Sequence, residues 1–197
     1  MAGFHPRLQK AIDLARSGEL GRVQTLRSVF TFPNRDASNH RWLPEMGGGA
    51  LLDVGVYCLD PVLTIAGEPI RVAASRIDAP SGVDTTFSGW LEFENAITAS
   101  FLASFDAPEQ QSFEIVGTEA ALEFDRSFTA GDLDHTIKIT RRDGRHEELD
   151  AGACDPYLAM VEHFARVVRA EEASMRPPEQ SIRTLRILDR LREAARN

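Results

Sequence analysis

The chain has 197 residues, 43% of them hydrophobic and 26% charged, which is enough to bury one full core. Its formal net charge of -8 comes without a dense run of Lys or Arg, which argues against a nucleic-acid-binding protein. We expect the apolar stretches to be too short to span a bilayer, and the N-terminus lacks the apolar core of a signal peptide. These features predict a cytoplasmic protein without a membrane partner.

The cysteines and histidines do not form any known metal or redox pattern. Cys58 and Cys154 lack a C-x-x-C spacing, and both are expected to be plain thiols. His163 lies on an apolar helical pattern and is predicted to be a packed or half-exposed histidine and not a ligand, whereas His135 and His146 flank a predicted hairpin at the surface. No structural or catalytic metal is therefore predicted.

The first half of the chain alternates helix and strand signals. Residues 6–17 are predicted to form a helix that the following glycine ends, and residues 23–32 form a strand rich in β-branched and aromatic residues. A second helix is predicted over residues 49–65, before Gly67 and Pro69 end it. This second helix follows a glycine-rich loop.

A period of two then predicts a series of strands. Apolar residues alternate with polar ones from Phe87 to Phe93 and again from Ile97 to Phe105, and the short connection at Glu94-Asn95-Ala96 makes these an antiparallel hairpin. Further strands are predicted at 72–77, 113–116, 122–124 and 137–140. The last of them turns at Asp143-Gly144, so the neighbouring arginines are expected at a solvated hairpin tip.

Two helices end the chain, because apolar residues return to helical spacing. The pattern consists of Tyr157, Met160, Val161, Phe164 and Val168, and then Ile182, Leu185, Leu188 and Leu191. The element order predicts an α+β fold, with one open, predominantly antiparallel sheet and helices packed on one face. Trp90 and Leu102 fall on the other face, where they are either scattered surface residues or part of a contact with a second copy.

The stretch most suited to chemistry follows three glycines, Gly47 to Gly49. Asp53 and Tyr57 stand one helical turn apart, so one helix face offers a carboxylate and a phenol. On spacing alone, a glycine-rich turn before a core helix with a partly exposed tyrosine is the better interpretation. The flanking sequence favours the functional interpretation instead.

Those flanks resemble the substrate domain of the glucose-fructose oxidoreductase and inositol dehydrogenase family (Gfo/Idh/MocA). The signature comprises Asn39-His40-Arg41 and Leu43-Pro44-Glu45-Met46 before the glycine helix, and its tyrosine places it near sugar and dihydrodiol dehydrogenases. The same order continues in Phe4-His5-Pro6, Ser17-Gly18-Glu19-Leu20-Gly21-Arg22-Val23, Gly67-Glu68-Pro69, Val83-Asp84 and Ile115-Val116-Gly117-Thr118-Glu119-Ala120-Ala121-Leu122. The resemblance covers nearly the whole chain.

The resemblance implies hydride transfer between NAD or NADP and the CH–OH carbon of a sugar, polyol or dihydrodiol. It gives Tyr57 the acid/base role and Asp53 an orienting role, and it assigns Arg41 and Asn39 to substrate binding. A phenol with a pKa near 10 is a poor base at neutral pH, and the family supplies a lysine cation from its Rossmann half. Without the resemblance, the better interpretation of Asp53 is a first-turn helix carboxylate and that of Arg41 an ordinary loop arginine. A homodimer or larger homo-oligomer is also implied.

The nucleotide half of that family is missing from this sequence. There is no G-x-G-x-x-G after an early strand and no Glu-Lys-Pro, and Gly3 stands where the related branch has an arginine. We therefore predict a helical segment over residues 1–22 that borders the Rossmann domain in the family. Residues 23–197 are predicted to form the substrate-binding and oligomerisation domain. Such a chain is expected to bind neither NAD nor NADP by itself and to be inactive alone. The alternative is a non-catalytic binding or assembly module.

Overall fold

The fold of the chain was obtained as a computed structural model, which describes residues 2–129, 131 and 135–196. Eight strands form one sheet. They are β1 (Val23–Pro33), β2 (Arg71–Asp78), β3 (Asp84–Glu92), β4 (Thr98–Ser104), β5 (Asp106–Gly117), β6 (Ala120–Asp125), β7 (Thr136–Arg141) and β8 (His146–Asp150). The sheet order is β2-β3-β4-β1-β5-β6-β7-β8, so the first strand of the chain lies in the middle.

All neighbouring strands are antiparallel except β1 and β4, which pair in parallel. The predicted hairpin is confirmed, with Phe87 opposite Ala103 and Gly89 opposite Phe101. Gly89 leaves room for the Phe101 ring, because a Cβ at Gly89 would lie 2.2 Å from that ring. The predicted open, predominantly antiparallel sheet is therefore confirmed.

Four α-helices accompany the sheet: α1 (Pro6–Ser17), α2 (Val56–Ala66), α3 (Pro156–Val168) and α4 (Pro178–Ala194). The bounds of α1 are those predicted. The ring of His5 caps its start by accepting the Arg7 backbone N–H, and Gly18 ends it at a φ of 85°. This cap fixes the segment that carries Gly3 against the helix layer.

The helices lie on one face of the sheet, as predicted, because the apolar residues of each strand point to one side. α1, α2 and α4 contact the strands directly, whereas α3 packs mainly on the short turn Ala2–Phe4. The buried side chains of Phe87, Leu91 and Phe101 face this layer, and the ring of Trp90 points away from it with 41% of its surface exposed. The two faces of the sheet thus differ as the alternation predicted.

The full extents of two strands were not predicted, although the hairpin turn before the second of them was. β5 begins at Asp106, because the polar residues at its start pair with the end of β1, where Thr31 lies opposite Gln110. β8 has only polar and charged residues apart from Leu149, and it forms because the Asp143–Gly144 turn folds it back along β7. The alternation of apolar and polar residues does not reveal a strand that is held in the sheet by pairing with its neighbours and not by burial of its own side chains.

One segment is more apolar than the sequence analysis allowed. Pro44–Ala66 is 23 residues long and contains a window with a mean hydropathy of 1.5, which on length and composition alone is enough to cross a membrane. In the fold, 56% of that window is buried, and α2 packs against β1 and β4. The expectation that every apolar stretch is too short was therefore wrong, and the segment ends in the core helix α2.

Candidate active site

The glycine loop brings backbone segments closer together than any side chain would allow. A Cβ at Gly48 would lie 2.4 Å from the carbonyl oxygen of Arg41, and one at Gly49 would lie 2.4 Å from a carboxylate oxygen of Asp84. Gly49 also has a φ of 114°, which L side chains rarely adopt. The predicted close backbone approach is present, and it is what anchors the Arg41 loop to the start of the helix.

The helix that follows begins with a π-helical turn at Leu51–Gly55 and continues as α2. The Asp84 carboxylate accepts the backbone N–H of Leu51 at 2.7 Å and so caps the start of the turn. π-helical turns widen the local spacing and occur often at functional sites. Asp53 lies in this turn and Tyr57 in the first turn of α2, so the two predicted residues do come together.

Arg41 is held in place from three sides. Its Nε donates to the Asp53 carboxylate at 2.5 Å, and one terminal nitrogen donates to the side-chain oxygen of Asn39 at 3.3 Å. Its guanidinium also lies over the ring of Phe32, 5.4 Å from the ring centre. Asn39 additionally accepts the backbone N–H of Arg41. Arg41, Asn39 and Asp53 therefore form one hydrogen-bonded group.

The phenol of Tyr57 lies in an aromatic environment at the edge of this group. Its ring packs edge-on against Phe30 at 5.7 Å and lies 6.3 Å from Phe128. Desolvation raises the pKa of Tyr57 above its ordinary value of 10.0, the nearby Tyr157 and Asp53 raise it further, and Arg41 partly opposes them. Tyr57 is thus protonated at neutral pH.

We expect this shift in the Tyr57 pKa to be measurable, because the chain has only two tyrosines. In Tyr157→Phe, the ultraviolet absorbance of tyrosinate should report one transition, with its midpoint above 10. Tyr57→Phe serves as the control that identifies the other tyrosine. Asp53→Asn should lower the Tyr57 midpoint, since it removes a negative charge. A midpoint at or below 10 for Tyr57 would contradict the described environment.

A cavity of about 310 Å³ opens beside Tyr57. Its wall includes Gly3 from the N-terminal turn, Asp60 from α2 and Leu185 from α4. Arg176 crosses this wall and forms an ion pair with Asp60. The Arg176 guanidinium also covers Gly3, since a Cβ there would lie 3.0 Å from its Nη1. Tyr57 therefore borders a pocket with apolar walls and one ion pair.

The sequence analysis missed Asp60 and Arg176. Asp60 could have been found, because it follows Tyr57 by three residues and so lies on the same side of α2. Arg176 could not, since it is 116 positions away from its partner and lies between two helices. Gly3 stands where the related branch has an arginine. In this structure the side chain of Arg176 covers that glycine.

The glycine loop offers no place for the phosphates of a dinucleotide. A helix start preceded by glycines can bind phosphate through free backbone N–H groups. Here the Leu51 N–H already donates to the Asp84 carboxylate, and the space beside Gly48 is taken by the carbonyl oxygens of Arg41 and Leu43. A phosphate would meet negative or partly negative oxygens on each side. The described residues therefore do not fit a nucleotide at this loop.

The cysteines and histidines take no part in this site. Cys58 is fully buried behind Tyr57, and burial raises the pKa of its thiol to about 12. Within residues 2–129, 131 and 135–196, no three His, Cys, Asp or Glu side chains are grouped to hold a metal ion. His163 is buried, so it takes the packed one of its two predicted environments.

The order of motifs and the fold now point to one family. A family model of the GFO/IDH/MocA C-terminal domain matches residues 8–123, which include the whole glycine loop and Tyr57. The chain belongs to the GFO/IDH/MocA family. The resemblance found from the sequence motifs is thus confirmed.

Two curated relatives of this chain are named as enzymes of sugars. The chain is 34% identical to the D-xylose 1-dehydrogenase (NADP(+)) 2 of Haloferax volcanii, over 99% of the chain and 60% of the relative. It is 33% identical to the dTDP-3,4-didehydro-2,6-dideoxy-alpha-D-glucose 3-reductase of Saccharopolyspora spinosa, over 84% of the chain and 51% of the relative. The chain thus spans 60% or less of the length of these curated relatives.

A solved structure confirms the fold. The chain superposes with a TM-score of 0.87 on a 3-ketoreductase from Actinomadura kijaniata in complex with NADP and TDP-benzene. The match has 24% identity and covers 98% of this chain and 60% of the ketoreductase chain. The named curated relatives thus include a dehydrogenase that uses NADP and a reductase of a keto sugar.

Proposed function

We propose that this chain is the substrate-binding and oligomerisation half of an NAD(P)-dependent oxidoreductase that acts on the CH–OH group of a sugar, polyol or dihydrodiol. One observation carries the proposal: Tyr57 lines a cavity, and Asp53 and Arg41, which are hydrogen-bonded to each other, lie near enough to influence its pKa. Relatives that are dehydrogenases and reductases of sugars support the substrate class.

The residues of this chain would supply the proton side of the reaction. When a carbonyl is reduced, its oxygen needs a proton, and Tyr57 is protonated at neutral pH because its pKa is raised. The hydride chemistry belongs to the nicotinamide, which the other half of the enzyme would hold. For oxidation, Tyr57 must first lose its proton, and a cation from that other half would favour this.

Substrate recognition is proposed for Arg41 and Asn39. The guanidinium of Arg41 presents a planar fork of donors that suits vicinal hydroxyls or an anionic group. Since its Nε is already bound to Asp53 and one terminal nitrogen to Asn39, the fork is oriented before substrate arrives. Asp53 would hold this orientation, which is the orienting role that the family resemblance assigns to it.

The domain assignment is part of the same proposal. We propose that residues 1–22 border a nucleotide-binding domain and that residues 23–197 form the substrate domain, working in the cytoplasm. Two free thiols, Cys58 and Cys154, are compatible with a reducing compartment. The genomic DNA upstream of Met1 is the most direct check, because it should encode a strand followed by G-x-G-x-x-G and a Glu-Lys-Pro.

The activity is tested with a joined protein, in which this chain follows the nucleotide-binding half encoded upstream or, in its absence, that of the Haloferax volcanii relative. NADP(H) absorbance is followed with a panel of aldoses, inositols, keto sugars and dihydrodiols. Turnover of at least one class is the expected result. A folded joined protein that binds NADP(H) but turns over none of the panel would contradict the proposed function.

The isolated chain is expected to bind NAD and NADP weakly or not at all. The reason is the glycine loop, where Asp84 and backbone carbonyls occupy the positions that phosphates would need. Calorimetric titration with each cofactor measures this directly. Saturable binding in the micromolar range would show that the chain holds a nucleotide site elsewhere.

We also propose that the isolated chain forms a dimer or larger oligomer through the open face of its sheet. Trp90 is 41% exposed and Ile77 is 64% exposed on this face, and Leu102 lies on it half-buried. Trp90→Glu should therefore convert the oligomer to a monomer in sedimentation velocity. Leu158→Glu, an exposed apolar position in the helix layer, is the matched control and should leave the oligomer intact. A wild-type monomer at high micromolar concentration would contradict this interface.

A further inference from the structure

The helix α3 exposes an apolar stripe to solvent. Exposed large hydrophobic side chains recur along one side of it at helical spacing. They are Tyr157 (60% exposed), Val161 (60%), Phe164 (66%) and Val168 (68%), with Leu158 (56%) beside them. Residues four, seven and eleven positions apart share one helix face, so the stripe continues over three turns. Monomeric proteins rarely leave such a contiguous apolar patch uncovered.

The other side of α3 accounts for its attachment to the fold. His163 is 5% exposed, stacks at 5.4 Å on the ring of Phe4, and accepts the backbone N–H of Met175 through Nε2. Its Nδ1 lies 2.5 Å from the Glu172 carboxylate. The inner side of the helix is thus attached to the fold mainly through His163. The exposed apolar stripe is a second face of the helix, and it takes no part in the contacts of His163.

We infer that the outer face of α3 is the docking surface for the nucleotide-binding half of the enzyme. This inference rests on the proposed function. Relatives that match the chain over nearly its full length carry a further two fifths of their length beyond the match, since the chain covers 60% of them. Those relatives are named as NADP enzymes or contain NADP, whereas the glycine loop here does not fit a nucleotide.

The position of α3 relative to the candidate site favours this occupant over a second copy. Tyr157, at the start of the stripe, lies near enough to Tyr57 for their phenolates to repel each other. Leu185, which is 54% exposed on α4, lines the cavity that borders Tyr57. A nicotinamide must reach the atoms that Tyr57 protonates, so the domain that carries it must cover this same side. A second copy on the open sheet face would leave the site accessible.

Amide hydrogen exchange tests the docking surface without relying on activity. Exchange of residues 156–168 is compared between the isolated chain and the joined protein, and it should slow by about tenfold or more when both halves are present. Phe164→Glu should restore most of the fast exchange in the joined protein. Trp90→Glu, on the opposite face, should not. Cys154 offers a second readout, because it precedes α3 and its labelling by a maleimide should slow in the joined protein.

Each outcome separates the docking surface from the proposed function. Protection of α3 in a joined protein without turnover would support the docking surface and contradict the function. Turnover with α3 exchanging as in the isolated chain would overturn the docking surface alone. A change in the sedimentation of the isolated chain on Phe164→Glu would also overturn it, since a second copy would then be the occupant of this face.

Discussion

Tyr57→Phe is expected to lower the turnover of the joined protein by about 10²- to 10⁴-fold, which is the usual contribution of a positioned acid or base. The change removes one hydroxyl and keeps the ring packed against Phe30 and Phe128, so stability should change little. Steady-state oxidation and reduction of the best substrate from the panel, together with urea unfolding, measure both effects.

Two further variants make this result specific. Tyr157→Phe removes the other tyrosine near the site and should retain most turnover, because Tyr157 lies outside the group formed by Arg41, Asp53 and Asn39. Asp53→Asn should weaken catalysis less than Tyr57→Phe, or mainly raise KM, since it releases the Arg41 guanidinium without removing the phenol. If Tyr57→Phe kept near-full turnover, Tyr57 would have no part in the mechanism.

Gly48→Ala is expected to destabilise the isolated chain by about 3 kcal/mol, the upper end of the range typical of overpacking. Its methyl group would lie 2.4 Å from the Arg41 carbonyl oxygen and 2.9 Å from that of Leu43, and both are backbone atoms that can move only with the whole loop. The Arg41 side chain should move away from Asp53 as a result. Urea unfolding gives the free energy of unfolding.

Gly47→Ala is the matched control in the same loop. Gly47 has a φ of 71°, but no heavy atom lies within 4 Å of the position that an alanine methyl group would take there. The substitution should therefore cost only the left-handed backbone strain, about 1 kcal/mol. In the joined protein, Gly48→Ala should also raise KM, because Arg41 would lose its orientation. Equal losses of stability for the two variants would show that the close approach at Gly48 is not what holds the loop.

The sequence determined the elements wherever their own side chains specify them. Helix α1 was predicted to the residue, because a proline at its start and Gly18 at its end are local signals. The β3–β4 hairpin and its two faces followed from strict alternation around Phe87 and Trp90. Helical spacing alone predicted that Asp53 and Tyr57 share one helix face. The motifs around Arg41 identified the family from the sequence alone.

Tertiary structure decided what depends on distant partners. The start of β5 and the whole of β8 are polar, and only pairing with β1 and β7 makes them strands. The ion pair of Arg176 with Asp60 joins residues 116 positions apart, so no local pattern contains it. The apolar spacing of α3 predicted a helix but not that its Phe164 side would face solvent, because the same spacing fits a core helix and a docking helix equally. Which face of a helix is buried depends on the segments that pack against it, and only the tertiary structure shows these.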